Sequence, residues 1–453
     1  MSNHIVIIPV EVYAREIDHK LLLGYYLSHF TGCPVLIAKD NIANSLAFRY
    51  RDSAIYIGKN FYVQADAQLS PSSLHPKVEN SQLLSLLDAG VNVIFADEEG
   101  GLYLDGSFSN RDKQLFWSRM PLNDHQSFSL FPNLWMAHWG SYQTSIAQEL
   151  LPKIKHATTG AFFLDACKAY RQCSSEIPNS SLSPKIGVIS STCPLTQGSY
   201  QVLPTYLSID LFIKNYGLSY ARQALLAEST AAFLADKLTN DVYDVTYRPH
   251  PASSGLILSE WKRYCSASGI SLSLPSSDTI LSFLSRHTVT IHTAGCTTAL
   301  QSFFLGLSSV FYGDAKCGTS DKLLSEAHAQ SYDELVSSID FQPRSTLLPL
   351  ASLLLNEPFS SDFVSFQSIL TIVQAIIDRS VADSPVSRSI HFGLSLLNAD
   401  IFARLRNLRF WKTPKFRNLR VDDIQRNLSI ARALWPNDSL RIRSRSSQHI
   451  LLF

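Results

Sequence analysis

The sequence predicts an α/β protein: two domains of alternating strands and helices in tandem, followed by a mostly helical, basic C-terminal segment. Three observations predict it. Short apolar runs of strand length recur along the chain, each followed by a stretch whose apolar residues have helical spacing. The alternation halts at the polar stretch 171–185, "RQCSSEIPNSSLSPK", and then restarts. With 453 residues, the chain is also longer than one ordinary core requires. Strand–helix–strand repeats at this spacing imply parallel sheets.

The elements follow in order. "HIVIIPVEV" (4–12) reads as a first strand. "REIDHKLLLGYYLSHFTG" (15–32) reads as a helix, because Leu21, Leu22, Tyr25, Tyr26 and Phe30 recur at helical spacing. "CPVLIAK", "SAIYIGK" and "GVNVIFADEEG" are further strands, each ended by charge or glycine. The serine- and proline-rich stretch 171–185 is the expected linker between a domain over 1–170 and one over 186–380. In the second domain "KIGVISST", "DVYDVTYRPHP" and "LSRHTVTIHTAG" are strands, 205–240 is a long helical run, and "CTTALQSFFLG" is a helix. The extension 381–453 reads as helical, with a basic and aromatic segment at 402–420 and a second basic cluster at Arg441, Arg443 and Arg445. Pro414 breaks any continuous helix in that segment.

Composition excludes several classes. Hydrophobic residues make up 45% and charged residues 17%, which describes a folded globular chain and not a disordered one. A net charge of +1 provides no field for nucleic acid. No apolar run reaches the roughly 18 residues of a membrane span. The opening "MSNHIVIIPVEV" lacks a basic stretch before its apolar run and meets Glu11 early, so a strand is expected there and not a secretory leader. The seven cysteines are scattered without a CxxC pair, which fits reduced thiols in a cytoplasmic protein and no structural metal.

Three polar clusters fall at expected strand ends, where ligands of open α/β sheets bind. The first is "FADEEGG", where Asp97, Glu98 and Glu99 crowd together before two glycines. Crowded carboxylates raise one another's pKa, as a general base working near neutral pH requires. The second is "TYRPHP", where prolines stiffen the backbone around His250 and Arg248 offers a positive fork for a phosphate. The third is "IHTAGCTTALQ". His292 and Thr293 end a strand, Gly295 turns the chain, and Thr297 and Thr298 open a helix whose free amides suit a phosphate. Each cluster also has a structural alternative: a solvated acidic loop, a histidine packed in a loop, and an ordinary threonine N-cap.

In matching order, "IPVEVYAREIDHKLLLGYYLS", "DEEGG", "TTGAFFLDACK" (158–168), "YRPHP" and "HTAGCTTALQSFFLG" resemble the bacterial surface-carbohydrate biosynthesis proteins. Those are GT-B-like glycosyltransferases built from two Rossmann-like domains. The resemblance spans roughly residues 4–315. The acidic turn, the HP histidine and the hydroxyl pair are also similar to those of CMP-sugar-dependent sialyl and Kdo transferases.

The resemblance implies Glu98 as the base with Glu99 beside it, His250 as donor to the leaving CMP phosphate, and Thr297–Thr298 as a hydroxyl pair on that phosphate. Nucleotide contacts are expected from Arg248, His250, His292, Thr293, Gly295, Thr297, Thr298 and Gln301. Gln301 stands where such enzymes carry a glutamate for the ribose hydroxyls. No metal or other cofactor is expected.

The implied activity is transfer of a sugar, favouring a Kdo-like or sialic-acid-like ulosonate, from a CMP-activated donor to a lipid-linked or oligosaccharide acceptor. A CDP-polyol phosphotransferase of teichoic-acid type and a non-catalytic scaffold are the alternatives. Inverting and retaining chemistry both stay open, with Asp210 the candidate nucleophile for the latter. Segment 402–420 has two readings: a contact with the inner membrane surface, or a solvated face packing its aromatics on the protein. Gly160 and Asp165 are expected to shape a loop at the cleft.

Overall fold

The computed structural model describes residues 4–59, 81–96, 98, 110, 112–113, 116, 131–173, 184–189, 230–241, 243–249, 255–275, 277–293, 297–312, 328–339, 355–357, 360–379, 420–437, 440, 442–446 and 449–452. Asp97, Glu99, Asp210, His250, Gly295, the linker stretch 174–183 and the basic stretch 402–419 lie outside the described residues.

The first domain comprises β1 (Ile5–Val10), α1 (Tyr13–Thr31), β2 (Val35–Lys39), α2 (Asp40–Arg49), β3 (Ala54–Gly58), α3 (Ser81–Asp88), β4 (Asn92–Ala96), β5 (Leu134–His138), α4 (Ser141–Leu150), β6 (Lys155–Thr158) and α5 (Phe162–Cys173). The second comprises β7 (Lys185–Ile189), α6 (230–240), β8 (Asp244–Arg248), α7 (Gly255–Ser268), β9 (Ser271–Leu272), α8 (Ile280–Leu284), β10 (Val289–His292), α9 (Thr297–Leu305), β11 (Ser308–Tyr312), β12 (His328–Ala329) and α10 (Tyr332–Ile339). Then follow α11 (Val364–Arg379), α12 (Val421–Leu434), β13 (Ile442–Ser446) and β14 (His449–Leu452).

Both domains are α/β with parallel sheets. The first sheet has the order β13-β14-β2-β1-β3-β4-β5-β6 and is parallel from β2 to β6. The second, β12-β11-β10-β7-β8-β9, is parallel throughout. Read outward from β7, that second order is the 3-2-1-4-5-6 arrangement of a dinucleotide-type fold. β1 is buried at every position, as an apolar strand covered on both faces must be.

α1 ends at Gly32, whose φ of 66° supplies the left-handed cap and whose N–H donates to Ser28 O at 3.0 Å. Its sequence is unusual for a buried helix. Glu16, Asp18, His19 and Lys20 are all buried alongside its leucines and tyrosines, and they bear on the site.

The chain beyond α10 returns to the first domain, taking with it α11, which falls inside the 186–380 expected for the second domain. α11 packs on α1 and α5, and α12 packs on the same two helices. Phe366 of α11 and Trp435, just beyond α12, contact Tyr26 of α1. As well as the expected helix, the segment contains a hairpin: β14 runs antiparallel along β2, and β13 along β14, extending the first sheet. The expected linker is also narrower than 171–185, because Arg171–Cys173 complete α5 and Lys185 opens β7.

Asp165, expected in a loop, lies inside α5. Its carboxylate accepts the N–H of Phe366 at 2.8 Å, so one side chain caps the start of α11 from another helix. Burial raises its pKa to about 6 against the opposing pull of Lys168. Gly160 precedes α5 with φ +83°, and a Cβ there would lie 2.5 Å from Ser365 Oγ. Gly160→Ala is therefore expected to cost about 1–3 kcal/mol of stability, read as a lowered urea midpoint at an unchanged m-value.

One apolar cluster runs from the first sheet through α5, α8 and α9 into α11 and α12. A second lies within the other domain, around Ile186, Tyr247, Trp261 and Ile291. The domains therefore share apolar packing where α9 lies along α5 and α8 meets α1.

Candidate functional site

In each parallel sheet the connections reverse direction at one point, and ligands bind beyond the carboxyl ends of the strands there. In the first sheet that point lies between β1 and β3, and in the second between β7 and β10. The sequence places its unusual polar side chains at both.

At the first, α1 brings Glu16, His19 and Lys20 under the strand ends, β3 delivers Lys59, and β4 delivers Glu98. Lys20 Nζ lies 2.8 Å from Glu16 Oε2 and 2.8 Å from Glu98 Oε1; Lys59 Nζ lies 2.6 Å from Glu16 Oε1 and 3.0 Å from Glu98 Oε2. Lys20 also donates to Pro9 O at 2.7 Å. Two carboxylates and two ammoniums thus alternate in a closed, buried square.

Burial alone would raise the pKa of both glutamates, but Lys20 and Lys59 outweigh it and hold both below the usual carboxylate range, Glu98 well below. Burial likewise opposes the charged lysines, and the two glutamates raise them despite it. This corrects the expectation of a carboxyl raised by crowding. Glu98 is ionised, and its neighbours are cations. A carboxylate held this far down is a weak proton acceptor. At the edge of this cluster Asp40 is raised to about 7, chiefly by burial and then by Glu11 and Glu16.

Beside the square lies a small recess lined by His19, Ala96, Glu98, Ala137, Trp139, Thr159, Gly160, Phe162 and Phe163. His19 Nε2 lies 3.7 Å from Glu98 Oε2 and makes no hydrogen bond among the described residues. Behind Ala137, His138 Nε2 meets His156 Nδ1 at 3.0 Å, and His156 Nε2 donates to Leu151 O at 2.8 Å. Burial, with His156 adding to it, lowers His138 to about 3, so that histidine is neutral.

At the second point, His292 ends β10 fully buried. Its Nε2 lies 3.1 Å from Thr290 Oγ1, and its Nδ1 has no partner among the described residues. Burial lowers its pKa to about 3, so the ring is neutral. Thr293 Oγ1 and Gln301 Oε1 are likewise buried without a partner among the described residues. Unsatisfied buried polar groups cost about 1–3 kcal/mol each unless something pairs with them. Three such groups lie within the β10–α9 junction, without partners among the described residues. Thr297 and Thr298 are half-buried in the first turn of α9.

Arg248 requires a second correction. The fork expected for a phosphate is buried within its own domain. Nη1 donates to Ser273 Oγ at 3.1 Å, Nη2 donates to Asp278 O at 3.0 Å, and the guanidinium lies 5.1 Å from the Phe283 ring centroid. Burial lowers its pKa to about 10. The guanidinium holds β8 to the loop before α8.

The predicted residues therefore divide three ways. His292, Thr293, Thr297, Thr298 and Gln301 gather at the second junction, Glu98 sits at the first, and Arg248 is structural. The two junctions flank one interface, since α9 packs along α5 and Cys167 Sγ lies 3.7 Å from Gln301 O. Sequence reasoning missed Glu16, His19, Lys20 and Lys59. The available signal was "REIDHK", a run of charge on a helix otherwise written for burial.

Among the described residues, no group of three or more His, Cys, Asp or Glu is placed to hold a metal, and no helix is long and apolar enough to cross a membrane. No family model matches the chain, and no curated protein matches it. Solved structures similar to it include the Methanocaldococcus jannaschii UDP-GlcNAc 2-epimerase in complex with UDP-GlcNAc and UDP. That structure is 12% identical and covers 82% of this chain and 99% of its own, at a TM-score of 0.46. The S. aureus MnaA–UDP co-structure is 9% identical over 84% of this chain and 99% of its own, at 0.48. The wall teichoic acid polymerase TagF is 10% identical over 83% of this chain and 90% of its own, at 0.40.

Proposed function

We propose that the chain is a glycosyltransferase of bacterial surface-polysaccharide assembly that moves a sugar from a CMP-activated donor, seated on the second domain, to a glycan hydroxyl at the first. The observation that carries this reading is the trio of buried polar atoms at the β10–α9 junction that have no partner among the described residues: His292 Nδ1, Thr293 Oγ1 and Gln301 Oε1.

Their chemistry divides as a nucleotide requires. In the tautomer in which Thr290 Oγ1 donates to His292 Nε2, the ring proton sits on Nδ1 and is free to donate. That N–H, the Thr293 hydroxyl and the amides opening α9 are donors for a phosphate whose negative charge grows as the sugar departs. Gln301 Oε1 is an acceptor, suited to a ribose hydroxyl. Donation from a neutral imidazole also leaves the site able to release CMP, which a buried cation would hold more tightly. The resemblance adds His250 as a further donor to the same phosphate.

Calorimetric titration with CMP, CDP and UDP tests the reading. Binding selective for CMP is the expected result. A preference for CDP with release of CMP from CDP-glycerol selects the polyol-phosphate reaction, a preference for UDP removes the CMP donor, and no binding leaves a scaffold.

A further inference from the structure

We propose that His19 is the catalytic proton acceptor of the first domain, taking the acceptor's hydroxyl proton while ionised Glu98 stabilises the imidazolium that forms. This rests on the transferase reading above and names the residue that reading lacks, since Glu98 itself is too well satisfied by cations to serve.

Three observations converge on His19. It lines the recess at the carboxyl ends of β4, β5 and β6, the end of a parallel sheet at which ligands bind. It is 4% exposed, and its Nε2 makes no hydrogen bond among the described residues. It lies 3.7 Å from Glu98 Oε2, within reach of an ion pair and slightly too far for a hydrogen bond.

The rest of the recess suits a sugar hydroxyl. Trp139, Phe162 and Phe163 give it apolar walls, and His19 and Glu98 are its ionisable lining groups. Lys20 and Lys59 lie behind Glu98, paired with it and with Glu16. They keep Glu98 ionised without offering a cation to the acceptor.

The step balances without a co-reactant. The acceptor O–H bond breaks and its proton passes to a ring nitrogen of His19. The oxygen's electron pair forms the new bond to the donor's anomeric carbon, and the pair of the breaking anomeric C–O bond leaves on the CMP phosphate. The His19 proton then returns to solvent. A ring nitrogen with no hydrogen-bond partner among the described residues is open to the acceptor's proton, as the Glu98 carboxylate held by Lys20 and Lys59 is not.

The test uses the full chain with CMP-N-acetylneuraminate, CDP-glycerol and UDP-N-acetylglucosamine as donor probes and water as acceptor, reading nucleotide release. Nucleotide affinity is measured in parallel by calorimetry. His19→Gln is expected to slow release about 10²–10⁴-fold while nucleotide affinity changes less than about twofold. His19→Asn provides a second variant should glutamine fail to fold, and circular dichroism confirms the fold of each. Release within threefold of wild type in either folded variant overturns the proton role and leaves the transferase reading standing. Wild-type nucleotide binding without release from any probe does the same. Absence of both binding and release overturns the reading and the proton role together.

Discussion

Glu16→Gln is expected to lower folding stability by about 3–5 kcal/mol, the effect of removing one partner from a buried ion pair. Glu16 is fully buried and receives Lys20 at 2.8 Å and Lys59 at 2.6 Å. Glutamine fills the same space but leaves two ammoniums with only Glu98 between them, in surroundings too poor in water to solvate the excess charge. Combining Glu16→Gln with Lys59→Met restores the balance, and the pair should lose less than the sum of its single losses, as contacting residues do.

The acid dependence has a definite sign. The folded-state pKa values of Glu16 and Glu98 lie below the ordinary value. Their stabilisation is therefore present above the unfolded value of about 4.3 and declines as pH falls below it. Asp40 works in the opposite sense: raised to about 7, it binds a proton on folding and favours the fold as pH falls from 7 towards 4. The two effects occupy separate windows. Urea melts at pH 7, 5 and 3 should show Glu16→Gln costing most at pH 7 and 5 and least at pH 3. A cost unchanged across that range would show that the square is not ionised.

Thr293→Val is expected to separate stability from binding. Valine keeps the shape and removes a buried hydroxyl that has no partner among the described residues. The fold should be unharmed or gain about 1 kcal/mol, the desolvation cost relieved. Nucleotide affinity should fall about 10–100-fold, the value of one hydrogen bond to a charged phosphate. Gln301→Leu follows the same logic with a smaller loss, about 3–10-fold, since its expected partner is a neutral hydroxyl. Thermal melts with and without CMP make the comparison directly: the variants should melt at or above wild type alone and be stabilised less by CMP. A Thr293→Val chain that melts lower and binds CMP normally would make the hydroxyl an ordinary structural group.

These two expectations differ in how visible their residues were beforehand. The β10–α9 junction is local: strand, turn and helix opening are contiguous, so His292, Thr293, Thr297, Thr298 and Gln301 could be read together from one stretch. The square at the first junction is assembled from Glu16 and Lys20 on a helix, Lys59 past one strand and Glu98 past another. No spacing along the chain announces that meeting. Arg248 shows the converse failure. Its place at a strand end was correctly expected, but the direction of its side chain depended on Ser273 and Asp278, well downstream.

The sequence by itself determined what repeats at short range: the strand–helix alternation and the parallel core of both sheets. Each is encoded in periodicity, glycine and proline acting within a few residues. Tertiary structure alone decided the rest. It returned α11 and α12 to α1 and α5, and laid β14 antiparallel on β2. It also set Glu98 among lysines, reversing the pKa that its acidic neighbours in sequence imply. The physical reason is that a charge responds to whatever lies within a few ångströms, and in this fold those neighbours come from distant parts of the chain.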